Sequence, residues 1–319
     1  MPPIPISPAP SGTPSRNSPV SATIRRPRCG PRSTGSLSFW SGEPMPTVSV
    51  IVPTFNRAAI LKETLDSILA QTFPDFELIV VDNESTDDTE ALVRSFNDGR
   101  IRYFRHPNGG VVAVNRNFGM RVAHGEYLAF CDDDDQWMKG KLARQLEVFR
   151  RDEGLGLVCT NAVNFDGQRE RGLRVTRRIR PADLSFEGLS RGSYIVNSSV
   201  MVRRKTIEDV GPMDESREIF TGEDFELWLR IARRYRIAFL NEPLVRYRIH
   251  PSAHGQIQST RMKAEIMERV YGKLLEKGYI APDEHRRMVA SLRRATLLKR
   301  FLRSTRFDRL IVPLRRITG

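Results

Sequence analysis

The stretch Tyr127–Trp137, reading Tyr-Leu-Ala-Phe-Cys-Asp-Asp-Asp-Asp-Gln-Trp, constrains this chain more than any other. Its apolar run, Tyr127–Cys131, predicts a buried strand. The run ends in four consecutive aspartates, Asp132–Asp135. Like charges at the end of a buried strand repel one another and are costly to desolvate unless a cation or a set of donors compensates. A solvated acidic turn is one reading. The other is a divalent-metal site, with hard oxygen ligands at the carboxyl end of a strand, where open α/β sheets place their ligands. A metal held there faces phosphate.

The flanking sequence supplies the rest of such a sheet. Val48–Val52 reads as a buried strand, followed by Pro53-Thr54-Phe55-Asn56-Arg57. Ala58–Gln71 carries Ile60, Leu61, Thr64, Leu65, Ile68 and Leu69 at helical spacing. Phe76–Val81 is a second strand, ending at Asp82, and Asp87-Asp88-Thr89 opens a helix through Phe96. Ile101–Arg105 is a third strand, and Asn108-Gly109-Gly110 a glycine turn before a helix to Ala123. Beyond the acidic stretch come a helix over Lys139–Arg150 and a strand over Leu155–Asn161. Ser198–Val202 reads as a further strand, Phe225–Tyr235 as a helix, and Val245–His250 as the end of a strand. Strands alternating with helices at this spacing predict an α/β domain wound on a largely parallel central sheet.

Charge divides the 319 residues into three parts. Residues 1–45 are rich in Pro, Ser, Gly and Arg and hold five Arg against one acid. That composition buries too little apolar surface to offset its ordering entropy, so the segment is expected to be disordered; Met45 stands just before the first strand and is a candidate start. Residues 256–319 hold 16 Lys and Arg against six acids. The middle, 46–255, is nearly neutral, with 30 basic against 31 acidic residues, which gives no support to nucleic-acid binding. Mean hydropathy is −0.40, and no apolar stretch approaches the roughly 20 residues of a membrane helix. The start lacks the apolar core of a signal peptide. Three scattered cysteines, Cys29, Cys131 and Cys159, form no disulfide or zinc pattern, and the expected compartment is the cytosol.

Several residues have two readings. Asp82, at a strand end, suits the ring N–H of uracil, thymine or guanine, or else a turn. Arg116, after the glycine turn, could clamp a phosphate or sit on a solvated helix face. Thr221 with Asp224 three residues on resembles a capping box, which alone would explain both Glu223 and Asp224 at a helix start. From Phe165 to Ser193 the pattern dissolves into arginines, Arg169, Arg171, Arg174, Arg177, Arg178 and Arg180. These form either a solvated loop or a basic lid that meets an anionic acceptor.

Taken in order, V-S-V-I-V-P-T-F-N-R (48–57), V-V-D-N-E-S-T-D-D-T (80–89), N-G-G-V-V-A-V-N-R-N-F-G (108–119), the acidic strand end, T-G-E-D-F-E-L-W-L-R (221–230) and R-Y-R-I-H (246–250) resemble the family 2 glycosyltransferases of the GT-A fold. The resemblance covers about 46–255. It implies a Rossmann-like GT-A catalytic domain and an inverting transfer from a nucleotide-diphosphate sugar, with UDP favoured. The acceptor would be a hydroxyl of a glycan, a lipid-linked sugar or a protein, in cell-surface polysaccharide or glycan synthesis. Asp134 would ligate Mg²⁺ or Mn²⁺ on the diphosphate, with Asp132 and Asp133 on ribose or metal-bound water. The middle position, often small in relatives, is Asp here, and Asp135 adds a fourth charge, which leaves the ligand division open. Pro53, Thr54, Asn56, Arg57 and Asn108 would line the nucleotide pocket, with Arg116 on phosphate and Asp82 on the base. Asp224 falls on the catalytic-base position with Glu223 beside it, and His250 where relatives contact the diphosphate or metal.

A sugar hydroxyl is a poor nucleophile, so a carboxylate in reach must take its proton as the bond forms. Glu223 raises the affinity of Asp224 for that proton by repulsion, while the helix dipole lowers it. In the tail, Met288, Leu292, Ala295 and Leu302 fall near one helical face, and Arg286, Arg293 and Arg300 on another. Such a helix over 286–303 lies on an anionic membrane surface or packs back on the catalytic domain. Two rival functions are a nucleotidyltransferase, for which Pro-Thr-Phe-Asn-Arg is the wrong loop after the first strand, and a catalytically silent nucleotide-sugar-binding protein.

Overall fold

The computed structural model describes Pro5, residues 45–249 and residues 260–304. The segment expected to be disordered lies outside these residues except for Pro5 and Met45, and His250 lies outside them too.

Nine strands among the described residues form one sheet. They are β1 (Val48–Thr54), β2 (Phe76–Asp82), β3 (Ile101–Arg105), β4 (Tyr127–Phe130), β5 (Gln136–Trp137), β6 (Leu155–Phe165), β7 (Glu170–Leu173), β8 (Met201–Arg203) and β9 (Arg236–Arg248). Their order is β3-β2-β1-β4-β8-β6-β9-β5, with β7 paired to β6. β1 to β4 are mutually parallel. β8 is antiparallel to both β4 and β6, and β9 runs parallel to β6. So β1, β2, β4, β6 and β9 all point the same way, and their carboxyl ends share one edge.

Every residue of β1 and β2 is buried, as expected of parallel strands covered on both faces. Alternate side chains sort into two cores. Ile51, Ile79, Val81, Leu128 and Phe130 face one; Val50, Val52, Leu78, Val80 and Ala129 face the other, the period of two that a strand imposes. Helices α1 (Ala58–Leu69) and α4 (Lys141–Arg151) cover the second core through Leu61, Leu65, Leu142 and Leu146. Helices α3 (Val112–Val122) and α7 (Glu223–Arg234) cover the first through Ala113, Met120, Leu227 and Ile231. α3 lies close on β1 at Gly119, where a Cβ would come within 2.5 Å of Ile51. Short helices α2 (Thr89–Ser95), α5 (Phe186–Ser190) and α6 (Arg204–Val210) complete this part.

Three expectations change. The strand predicted over Ser198–Val202 is a 3₁₀ turn, Asn197–Ser199, before the short β8. The arginine-rich segment is a built element: β7 pairs with β6, and Val175, Ile179, Leu184, Phe186 and Leu189 are buried between its basic residues. Finally, the boundary at 255/256 is not a structural one among the described residues. Helix α8 (Thr260–Glu276) packs on α7, burying Val270, Tyr271 and Leu274 in the first core. Lys277 then bridges Asp214 and Glu226 at 2.8 and 3.0 Å. In α9 (Pro282–Ser304), Met288, Val289 and Leu292 pack against that core, which realises the packed-helix reading for its first half. Leu297 and Leu298 beyond them are 62% and 59% exposed.

Candidate active site

A cavity of about 520 Å³ opens where the strand ends converge. β1 brings Pro53 and Thr54 to its wall, followed by Phe55 and Arg57, and β2 is followed there by Asn83. The glycine turn supplies Asn108 and Gly110, with Gly109 and Gly110 at φ 57° and 85°, a conformation glycine adopts without strain. α3 adds Arg116, the end of β4 adds Asp132, Asp133 and Asp134, and β9 adds Tyr247 and Arg248. On the opposite wall stand Phe220, Thr221, Glu223 and Asp224, at and before the start of α7.

The acidic stretch is neither a solvated turn nor left uncompensated. Asp133 accepts from Thr54 Oγ1 at 2.9 Å and from Arg57 Nη1 at 2.8 Å, and Asp134 accepts from Arg57 Nη1 at 3.1 Å. Asp132 Oδ1 accepts from Arg116 Nη2 at 2.7 Å and Asn197 Nδ2 at 2.8 Å. Asp135, 1% exposed, accepts from Ser198 Oγ and from the Arg248 backbone N–H. Burial pushes Asp133 up to about 6 against the pull of Arg57, and burial with the neighbouring aspartates holds Asp135 well above the usual carboxylate range.

Arg116 joins the two sides. It is buried, and while Nη2 holds Asp132, Nη1 donates to Glu223 Oε1 at 2.7 Å. Each amino group thus meets a carboxylate, and Arg116 is a strut between β4 and α7 that also lines the cavity. Burial works against its charge, but Asp132 and Glu223 more than compensate and hold it ionised. Glu223 Oε2 and Arg116 Nε are buried without a hydrogen-bond partner in the described structure.

The capping-box reading of Asp224 does not survive. The N-cap of α7 is Gly222, with no side-chain cap, and Thr221 has φ 69°. Asp224 accepts from the Phe225 N–H at 2.6 Å. Its carboxyl is raised to about 7, first by burial and then by repulsion from Glu223, with Arg116 opposing. Burial thus decides between the two opposed influences at this helix start.

Two more expectations need correcting. Asp82 is fully buried and is not part of the cavity wall: Oδ1 accepts from Ser85 N and Oγ, Oδ2 from Tyr103 Oη. Its neighbour Asn83 reaches the wall instead. Asn56 is likewise off the wall; in a left-handed turn at φ 51°, its Oδ1 accepts from the Thr86 N–H, tying the β1–α1 and β2–α2 loops together. Arg57 and Asn108 line the cavity as expected, and His250 falls outside the described residues.

Tyr247, Arg248, Phe55 and Phe220 were not singled out from sequence. Arg248 Nε donates to the Asp134 carbonyl at 2.8 Å, and burial with the acidic run pushes Tyr247 up to about 12. Their signal was their place at strand ends and loop turns, where 49% of Phe55 stays exposed.

The lining holds five carboxylates and three guanidiniums, so a diphosphate brought into it needs further positive charge. Among the described residues no three His, Cys, Asp or Glu side chains converge on an ion position. The donor set therefore fits an ion held by one or two carboxylates and completed by phosphate oxygens and water, the habit of Mg²⁺. Both oxygens of Asp133 accept, Oδ2 from Thr54 and Oδ1 from Arg57, whereas the bonds to Asp132 from Arg116 and Asn197 both fall on Oδ1; Asp132 and Asp134 are therefore the residues that could hold such an ion.

The family model described as Glycosyl transferase family 2 matches residues 49–211. One relative, a GalNAc(5)-diNAcBac-PP-undecaprenol beta-1,3-glucosyltransferase of Campylobacter jejuni, is 30% identical over 76% of this chain and 76% of its own. A UDP-Glc:alpha-D-GlcNAc-diphosphoundecaprenol beta-1,3-glucosyltransferase of Escherichia coli, WfaP, is 27% identical over 70% of this chain and 84% of its own. The chain spans 34% of the length of an uncharacterized Rickettsia felis glycosyltransferase that it matches at 29% identity. Among solved structures, Staphylococcus aureus TarS superposes with a TM-score of 0.57 at 20% identity, covering 77% of this chain and 42% of TarS. The Pyrobaculum calidifontis mannosyltransferase PcManGT, solved with GDP-Man and Mn²⁺, gives 0.55 at 21% identity, covering 77% and 69%. These likenesses show the GT-A fold, and with the family match they establish that the chain belongs to the family 2 glycosyltransferases.

Proposed function

We propose that this protein transfers a sugar, with inversion, from a nucleotide-diphosphate sugar to a hydroxyl of a lipid-linked glycan, with Asp224 as the base. The observation that carries this reading is the meeting of two carboxylate groups across one cavity. The set at the end of β4 is ordered by Arg57 and Arg116, while Asp224 at the start of α7 has its proton affinity raised by burial.

Asp132 and Asp134 would hold Mg²⁺ or Mn²⁺, which when bound neutralises charge on the departing diphosphate. Pro53, Thr54, Asn83 and Asn108 bound the nucleotide side, and Phe55 offers a face for a base. Asp224, partly exposed to the cavity, accepts the proton of the attacking hydroxyl at its carboxylate; its raised affinity for protons makes it a better base at neutral pH than an ordinary aspartate. Arg116 fixes Glu223, and with it the start of α7, relative to Asp132. In-line attack then inverts the anomeric carbon.

UDP is the favoured nucleotide, since WfaP is named for UDP-Glc and TarS was also solved with UDP and UDP-GlcNAc. The lipid-linked acceptor is supported by the diphosphoundecaprenol acceptors in the names of two relatives. Peripheral contact with an anionic membrane fits this acceptor and the exposed Leu297 and Leu298 in basic α9; no helix among the described residues is long and apolar enough to cross a membrane. UDP release from a panel of UDP-sugars with Mg²⁺ or Mn²⁺, with and without a glycolipid acceptor, tests the reading. Binding of UDP-sugars without release under any condition would mark a silent binder.

A further inference from the structure

We propose that the mouth of the cavity carries a subsite for the diphosphate of a glycosyl-diphosphate acceptor, built on the guanidinium of Arg174 where it stacks on Tyr247. This inference rests on the transfer reading above and names the acceptor's recognised group.

The three guanidiniums of the cavity wall are committed: Arg57 to Asp133 and Asp134, Arg116 to Asp132 and Glu223, Arg248 to the Asp134 carbonyl and Glu63. An acceptor that carries phosphates would bring more negative charge to a wall that already has an excess of carboxylates. Arg174 is differently placed. Its guanidinium lies 4.6 Å from the ring centre of Tyr247, a residue of the cavity wall, and it has no carboxylate partner among the described residues. No side-chain N–H of Arg174 is used in a hydrogen bond among them either. A guanidinium held over an aromatic ring by cation–π attraction, with its N–H groups unspent on other side chains, keeps those donors for the oxygen atoms of a phosphate.

The position is also built. The Arg174 N–H donates to the Ala162 carbonyl at 2.7 Å. The next residue, buried Val175, exchanges hydrogen bonds with the Asn161 side chain, donating to Oδ1 at 3.1 Å and accepting from Nδ2 at 2.9 Å. Arg174 is therefore anchored by its backbone against β6, while its side chain reaches β9 at the shared strand edge.

The test compares two acceptors that differ only in phosphate: a short-chain alkyl diphosphate of N-acetylglucosamine and the matching alkyl glycoside. Their dissociation constants are measured on the UDP-loaded full chain with Mg²⁺, for wild type, R174A and R174K. Wild type should bind the diphosphate at least about tenfold more tightly, the scale of one charge-assisted phosphate contact. R174A should remove most of that preference, and R174K, which keeps the charge but not the planar fork, should restore part of it. Equal binding of the two acceptors by wild type, or an undiminished preference in R174A, overturns the subsite. Turnover is read separately. Absence of UDP release from wild type counts against the transfer reading, while the binding ratio still decides the subsite.

Discussion

The two carboxylate groups of the cavity face each other but are built differently. At the end of β4, Asp132, Asp133 and Asp135 each accept at least two hydrogen bonds, and guanidiniums hold Asp132, Asp133 and Asp134. At the start of α7, Glu223 keeps one buried oxygen without a partner, and Asp224 accepts from the Phe225 backbone N–H. Burial raises the proton affinity of Asp133 and Asp135 as it does that of Asp224, so the two groups differ in their donors: guanidiniums answer the carboxylates of β4, which suits a site for a cation, whereas Asp224 faces the cavity beside Glu223, whose repulsion adds to its affinity for a proton and suits proton transfer. Arg116 belongs to both groups and keeps the contrast sharp.

The largest effect that tests this contrast is expected from Asp224→Asn. The amide keeps the size and can still accept from Phe225 N–H, but cannot take a proton, so kcat should fall by roughly 10²–10⁴. UDP affinity should stay near wild type, measured by calorimetry, and Glu223→Gln should lose less. Retention of most turnover in Asp224→Asn would move the base elsewhere, with Glu223 the first candidate.

The pH profile is next. With Asp224 raised to about 7, the ionised base disappears as pH falls, and kcat should drop roughly 50-fold between pH 7 and pH 5. Stability should run the other way. The folded state holds this proton more tightly than the unfolded chain, so its contribution is full below the ordinary aspartate value of 3.8 and is lost as pH rises through about 7. Urea denaturation of wild type and Asp224→Asn across that window reads the difference; parallel curves for the two proteins would break the assignment.

A smaller effect is expected at the other group. Asp134→Ala should weaken UDP binding in Mn²⁺ by about tenfold or more and remove most of its dependence on the ion. Metal-independent UDP binding that is unchanged in the variant would sink the cation reading of β4. The smallest effect lies furthest away. Replacing Leu297 and Leu298 by serine should lower binding to anionic vesicles a few-fold at low salt without altering UDP affinity, and salt should weaken the wild-type contact. No vesicle binding by wild type at low salt would leave α9 as a packed helix alone.

Much of this was legible in the chain. The strands β1, β2 and β4 and the helices α1 and α3 follow from apolar runs and helical spacing, because a buried parallel strand and an amphipathic helix each impose a period on their own sequence. Acidic residues at a strand's end pointed to the cavity for a similarly local reason. Asp82 and Asn56 misled because a polar residue at a strand end reads the same whether it faces a ligand or its own loop. Only packing shows that Ser85 and Tyr103 take up the oxygens of Asp82.

What the sequence alone determined is the class of sheet, the edge on which chemistry sits and the residue types that line it. These depend on burial and charge within short stretches. What only tertiary structure decided is which charges answer one another. Arg116 and Glu223 are 107 residues apart in sequence and hydrogen-bonded at 2.7 Å; Arg174 reaches Tyr247 only because β6 and β9 lie side by side. Electrostatic pairing and desolvation depend on distance and surroundings in space, and neither is written in the spacing of residues along a chain.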